Sequence, residues 1–274
     1  MSRFNPQKVI VLGPNGMLGQ MASAYFSQQG RTVVPIAERY TPESRLAFME
    51  ALKAAGSGVV VNCIGKIKQK TDNAQDLVWA NGVLPLDLWE NLRPDQYLIH
   101  PSTDCVFAGT AGRPYQVTAT ADATDDYGWS KRMGEVALVG KPRTLVVRVS
   151  IIGPDRNASA KGLLGWFLGL PAGAQVKGFT NHLWNGVTTL EWCKYLAQLL
   201  ISGQLPAHEG KVVQLGTAEY HTKHEMLLLF QQTYATNYQI VPSDGQAAVD
   251  RRLAPTVQAK PLALQLKELY GFWQ

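Results

Sequence analysis

Largely apolar runs at residues 9–12, 32–36, 59–63, 97–100 and 144–148 mark five short buried strands in the first part of the chain. The stretches between them are long enough for helices. The first carries apolar residues at Met21, Ala22, Tyr25 and Phe26, the spacing of one helix face. Strands alternating with helices predict an α/β fold with a parallel, doubly wound sheet and right-handed crossovers. Beyond Gly153 the pattern loosens. Residues 163–170 and 179–189 read as substrate-facing loops and short helices, helical periodicity returns at 190–201 and 224–234, and a short strand at 212–215 is expected to rejoin the sheet. Thr222 and Glu225 form a T-x-x-E capping box ahead of an apolar run, which predicts a helix start there rather than a metal pair at His221 and His224. With no repeat or low-complexity linker, the expected division is residues 1–152 for the sheet domain and 153–274 for a smaller, interleaved C-terminal region, parts of which return to the sheet.

Three local features carry chemistry. The first strand runs into Gly13-Pro-Asn-Gly16-Met-Leu-Gly19 and then a helix, which reads as a dinucleotide-binding opening. Glycine lets the backbone turn tightly and lets a pyrophosphate approach the helix N-terminus, whose N–H groups favour an anion. The fourth strand ends in Ser102-Thr103-Asp104, where ligands of open α/β sheets bind. Those hydroxyls also suit a turn whose backbone they satisfy. Tyr127 and Lys131 stand four residues apart on one helix face, where an ammonium favours the phenolate and prepares the pair for proton transfer. A surface aromatic beside a solvated Lys is the plainer reading of that pair alone, and the chain order of all three features argues against it.

With these residues, Asn62-Cys-Ile-Gly65 after an apolar strand and Asn81 ahead of Pro85, the chain resembles the extended short-chain dehydrogenase/reductases. Ser102-Thr-Asp-Cys-Val-Phe-Ala-Gly109 is similar to the signature of the dTDP-4-dehydrorhamnose reductase branch. The resemblance implies a Rossmann domain that binds NAD(P)H, a smaller C-terminal substrate domain and a nucleotide-sugar substrate. It implies Thr103, Tyr127 and Lys131 as the catalytic set. Gly13, Asn15, Gly16, Met17, Leu18, Gly19, Cys63, Ile64, Gly65, Asn81 and Ser102 become cofactor contacts, with Tyr127 and Lys131. Asp104 and Val106 join Thr103 on the substrate side. Hydride would pass to the sugar carbonyl carbon while Tyr127 protonates the oxygen, Thr103 hydrogen-bonds it, and Lys131 tunes the phenol and holds the nicotinamide ribose.

Departures from the family pattern shape the expectation. Ser150-Ile-Ile-Gly153 stands where the rhamnose-type enzymes usually place a Trp and a Tyr, so a different sugar is expected. Cys105 replaces the Glu that related dehydratases use, which favours carbonyl reduction over loss of water. An epimerase and a non-catalytic dinucleotide-binding regulatory subunit are the alternatives. At the end of the second strand, Ala37 takes the position of an acid that would bind the ribose 2′-OH, and Arg39 follows, so NADP(H) is favoured; Glu38 keeps NAD(H) compatible. The segment 181–189 mixes amides, hydroxyls, His182, Trp184 and Asn185. It reads either as the nucleotide-sugar loop or as a capped loop opening the next helix.

The formal net charge of +5 comes from scattered basic residues, apart from Lys66, Lys68 and Lys70, so no nucleic-acid partner is expected. Lys66 and its neighbours suit either a solvated run or contacts with phosphates. The three cysteines lie far apart without metal spacing, so no metal is expected and they read as reduced core thiols. Without a signal peptide or long apolar run, a cytoplasmic protein with no membrane partner is expected, and a homodimer is compatible with this reading.

Overall fold

The computed structural model describes residues 6–71, 73–155 and 162–273; residues 1–5 and the Lys70 side chain, both used in the sequence reading, lie outside the described residues. The chain forms two compact units, and each is drawn from three stretches of sequence.

Unit 1 comprises Met1–Thr103, Thr124–Arg148 and Cys193–Val213. Its strands are β1 (Lys8–Leu12), β2 (Thr32–Ile36), β3 (Gly58–Asn62), β4 (Gln96–Thr103) and most of β5 (Thr144–Val149). β1 pairs in parallel with β2 and β3, and β3 with β4. Crossovers run through α1 (Met17–Gln28), α2 (Arg45–Ala54), α3 (Ala74–Val78), α4 (Leu84–Asn91) and α5 (Asp126–Leu138), with a π-helical turn at Trp79–Val83 between α3 and α4. Every residue of β3 and β5 is buried, as expected of parallel strands covered on both faces. On one face, Ile10, Leu12, Val60, Leu98 and Val146 pack with Phe48, Leu52, Leu84, Leu88 and Leu138 in a single apolar cluster.

Unit 2 comprises Asp104–Ala123, Val149–Trp192 and Gln214–Gln274. β6 (Ile151–Ile152) pairs with β9 (Val187–Thr188), and β7 (Gln175–Phe179) with β12 (Gln239–Ser243). β8 (His182–Trp184) lies between β11 (His221–Thr222) and β13 (Val249–Asp250). β10 (Lys211–Thr217) runs on from unit 1, and its last residues pair in parallel with β14 (Val257–Ala259). The strand order of the seven-stranded sheet is β14-β10-β5-β4-β3-β1-β2. The helices of unit 2 are α6 (Leu163–Leu168), α8 (Lys223–Tyr234) and α9 (Leu262–Phe272), while α7 (Thr189–Ser202) starts in unit 2 and belongs to unit 1 from Cys193 on.

Thr222 caps α8 through the reciprocal box with Glu225 that the sequence predicts. The segment 179–189 departs from expectation: it forms the two short strands β8 and β9 rather than loops and short helices. Its partners β11 and β13 lie far along the chain, so no local periodicity announces the pairing.

Candidate active site

Gly13, at φ +68°, takes a left-handed conformation, and its N–H donates to Ile36 O at 3.1 Å, which ties the turn to the end of β2. A Cβ on Gly19 would collide with the Gly13 carbonyl, so glycine lets α1 lie close against the turn. The first turn of α1, with Met17 and Leu18, carries no side-chain cap and no acidic residue. That leaves an uncapped, electropositive helix end suited to a phosphate. Asn15 is exposed and its carbonyl accepts from Gln20 Nε2 at 2.9 Å. Arg39 is exposed shortly after β2, in a loop held by the Ser44 hydroxyl on the Arg39 carbonyl.

The loop after β3 is held by two amides. Asn62 Oδ1 accepts from Ile64 N at 3.2 Å, which assigns its Nδ2 as donor to His100 Nδ1 at 3.1 Å and puts the imidazole proton on Nε2. Cys63 and Ile64 are half-buried there and Gly65 is exposed. Asn81, in the π-helical turn, accepts from Lys66 N at 3.0 Å and donates to Lys66 O and Ser130 Oγ at 2.9 and 3.0 Å. Its amide therefore clamps the loop. Lys66 pairs with Asp76 and Lys68 with Asp125, so these two ammonium groups are already matched by carboxylates.

β4 delivers Ser102 and Thr103, both buried, at its carboxyl end. The Ser102 hydroxyl meets the Glu135 carboxylate and helps to lower its pKa. Asp125 caps α5 by accepting from Gly128 N at 2.8 Å, which starts the helix just before Tyr127. Tyr127 is half-buried in the first turn. Lys131 follows one turn on, buried, with Nζ donating to Pro101 O at 2.7 Å, on the strand that ends in Thr103. Burial pushes its pKa down to about 8, and Glu135 partly opposes the shift.

Glu135 and Arg148 form a buried bidentate pair, Nε to Oε1 at 2.9 Å and Nη2 to Oε2 at 2.8 Å, and Arg132 adds a third bond at 2.9 Å. Burial alone would raise the Glu135 pKa, but Arg148 outweighs it and the carboxyl sits below its usual range. Burial, reinforced by the Lys131 charge, lowers the His100 pKa well below the ordinary value, so the imidazole is neutral. A half-buried phenol one turn from a desolvated ammonium, at the carboxyl end of a parallel strand, can deliver a proton to a polar ligand atom.

Unit 1 thus gathers the glycine turn, the 63–65 loop, Asn81, Ser102, Thr103, Tyr127 and Lys131, whereas Asp104, Val106, His182, Trp184 and Asn185 belong to unit 2. Asp104 is half-buried. Val106 is fully buried in a cluster with Phe107, Tyr115 and Leu253, a core position rather than a lining one. His182 lies against Phe179 with ring centroids 4.6 Å apart and planes tilted by 44°, and its Nε2 is 3.1 Å from Ala247 O; burial, then the charge of Lys223, lowers its pKa. Trp184 is buried and donates Nε1 to Ser150 Oγ at 2.8 Å. Asn185 donates to Thr217 O and Leu253 O at 3.1 and 2.8 Å and accepts from Leu253 N at 3.0 Å. The segment that reads as a nucleotide-sugar loop or as a capped loop therefore uses these polar atoms within unit 2, and Thr188 Oγ1 accepts from Glu191 N at 3.2 Å at the start of α7. Sequence reasoning missed His100, Glu135 and Arg148, and took Asn62 only as part of the motif after β3. For Glu135 a signal existed: it follows Lys131 by four residues, so a second charge shares the inward side of α5.

Residues 7–163 match the family described as RmlD substrate binding domain. A curated relative from Streptomyces antibioticus, a probable dTDP-4,6-dihydroxy-2-methyloxan-3-one 4-ketoreductase, is 32% identical over 52% of this chain and 50% of its own length. The dTDP-4-dehydrorhamnose reductase of Mycolicibacterium smegmatis is 30% identical over 53% of this chain and 45% of its own. The chain thus spans about half the length of the curated relatives it matches. Among solved structures, a dTDP-4-dehydrorhamnose reductase from Bacillus anthracis in complex with NADP superposes with a TM-score of 0.81 at 14% identity, covering 97% of this chain and 99% of that one. One from Clostridium acetobutylicum gives a TM-score of 0.80 at 15% identity, with 96% and 98% coverage. At these identities the structural likeness speaks for the fold.

Proposed function

The chain belongs to the RmlD substrate binding domain family, and from that premise we propose that it is an NADPH-dependent reductase of the 4-keto group of a nucleotide-linked sugar. The observation that carries the reading is Lys131: a buried ammonium with a pKa near 8, bonded to the strand that ends in Thr103 and set one helical turn after Tyr127. Unit 1 would serve the cofactor and unit 2 mainly the substrate, a division interleaved along the chain rather than a single cut after residue 152.

NADPH, when bound, supplies the hydride. The turn 13–19 and the uncapped N-terminus of α1 fit its pyrophosphate, and Arg39 fits the 2′-phosphate. Tyr127 donates its phenolic proton to the sugar carbonyl oxygen. Thr103 hydrogen-bonds the same oxygen as charge develops on it. Lys131 stabilises the phenolate left behind, and solvent returns the proton to Tyr127. Cys105 offers no carboxylate to remove a carbon-bound proton, so reduction fits the residue set better than dehydration. Glu38 leaves NADH as the second cofactor. The curated relatives' names, reductase and 4-ketoreductase, support the same chemistry.

Three free cysteines suit a reducing, cytoplasmic setting, and no helix among the described residues is long and apolar enough to cross a membrane. The exposed Trp129, Met133 and Val136 on α5 are compatible with a homodimer. The experiment is a panel of dTDP-, UDP-, GDP- and CDP-linked 4-dehydro sugars with NADPH or NADH, following cofactor oxidation. Turnover is expected with NADPH, and Tyr127→Phe should lower kcat by roughly 10²–10⁴ with NADPH affinity unchanged. Cofactor binding without turnover on any sugar would favour the regulatory-subunit reading. An unchanged kcat in Tyr127→Phe would remove the phenol from the mechanism.

A further inference from the structure

Tyr127, Lys131 and Glu135 follow one another at four-residue intervals, so a phenol, an ammonium and a carboxylate share one side of α5. The last two are fixed to neighbouring strands. Lys131 Nζ donates to Pro101 O at 2.7 Å on β4, and Glu135 accepts from Arg148 Nε and Nη2 at 2.9 and 2.8 Å on β5, the strand beside β4. The helix is thereby pinned to the sheet at two points one turn apart, all within unit 1. A single polar contact lets a helix pivot about it, whereas two fix its rotation and its register, and so the placement of Tyr127 relative to the end of β4.

The carboxylate of Glu135 is densely bonded. Oε2 also accepts from Arg132 Nη1 at 2.9 Å, and the hydroxyl of Ser102, the residue before Thr103, meets the same group. Donors on α5, β4 and β5 therefore converge on one planar acceptor and lock its orientation. Glu135 and Arg148 are both buried, Arg148 within the otherwise largely apolar β5. In such a place two apolar side chains of similar volume are often as stabilising as an ion pair, or more so. An apolar pair, however, supplies neither directional bonds nor a charge. Glu135 supplies both, because its negative charge opposes the effect of burial on the Lys131 ammonium. Around that ammonium stand Tyr127 one turn earlier, the neutral His100 of β4, and Arg132 and Arg148, whose guanidinium groups are turned to the carboxylate.

We propose that Glu135 is a positioning residue: its ion pair with Arg148 sets α5, and with it Tyr127 and Lys131, against the Ser102–Thr103 end of β4, and its charge sustains the ammonium. The kinetic consequence rests on the reductase reading above, to which the proposal adds the group that holds the proton-transfer pair in place.

Glu135→Gln alone would strand the buried Arg148 charge and unfold the site. The test therefore uses Glu135→Leu/Arg148→Met, which exchanges the ion pair for apolar groups, and Glu135→Asp, which keeps the charge balance and shortens the arm by one methylene. Each variant of the whole protein is followed by thermal melts, NADPH calorimetry, turnover on the sugar panel and NMR titration of Lys131 without cofactor. In the double variant, Tm should hold or rise and NADPH affinity should stay within a few-fold. Its kcat should fall by about tenfold to 10², and its Lys131 midpoint should lie below that of the wild type, because the neighbour that favours the charged form is gone. In Glu135→Asp, kcat should fall several-fold with KM for NADPH and the Lys131 midpoint unchanged. Wild-type kcat in Glu135→Asp, or a wild-type Lys131 midpoint in the double variant, would overturn the proposal. If the double variant fails to fold, the split between kcat and KM in Glu135→Asp decides. The titration needs no sugar, so it separates the two readings: a wild-type protein that turns over no sugar refutes the reductase, and a lowered midpoint in the double variant still supports Glu135 as the partner of the ammonium.

Discussion

Lys131 in unit 1 and Asn185 in unit 2 are buried to the same degree, each 7% exposed, yet they use their bonding capacity in opposite ways. Asn185 places both N–H groups and its carbonyl on backbone partners around Thr217 and Leu253. Lys131 gives one N–H to Pro101 O and keeps a desolvated charge. Burial alone does not mark a functional polar group. What distinguishes the two is whether the protein completes the group's hydrogen bonds: a completed amide holds the fold, whereas an incompletely matched ammonium lowers stability and is available to a ligand.

The sign of that cost follows from linkage. The folded pKa of Lys131 lies near 8 and the unfolded value near 10.5. Between those values the unfolded chain holds the extra proton, so stability rises with pH across the interval, and the full penalty, about 3 kcal/mol, applies below pH 8. Lys131→Met is therefore expected to lower kcat by about 10² or more while raising Tm by several degrees at neutral pH, with the gain shrinking toward pH 10. Activity assays and melts across pH check both parts, and a lower Tm would break the comparison at this end.

Asn185→Ala should act with the opposite sign. It strands buried backbone groups of Thr217 and Leu253, so a loss of about 3 kcal/mol and a lower Tm are expected from denaturant and thermal melts. A neutral result would mean that the segment does not hold unit 2. The smallest effect belongs to Arg39→Ala, which exchanges an exposed cation: KM for NADPH should rise several-fold while KM for NADH stays the same. Equal changes for both cofactors would show that Arg39 does not read the 2′-phosphate.

Much of unit 1 is legible in the sequence because its inner strands are covered on both faces and read as apolar runs, as at Val59, Val60 and Val61. The glycine turn, the α8 capping box and the Tyr127/Lys131 spacing are equally local signals. Unit 2 is harder to read, because β8 finds its partners in β11 and β13, and no window of sequence around Trp184 contains them. The same limit hides Asn62 with His100 and Glu135 with Arg148, pairs brought together by strand register and helix packing. Residue types at 181–189 suggested a ligand surface, but their hydrogen bonds go to Ser150, Thr217 and Leu253.

α5 holds a buried ammonium tuned toward neutral pH, and the side-chain titration of Lys131 tests this most directly. With the Lys131 resonance assigned by difference from Lys131→Met, NMR of the labelled lysine should show a midpoint near pH 8 in the protein without cofactor. A midpoint at the ordinary lysine value of about 10.4 would contradict the account, because the ammonium would then be as well solvated as one on the surface.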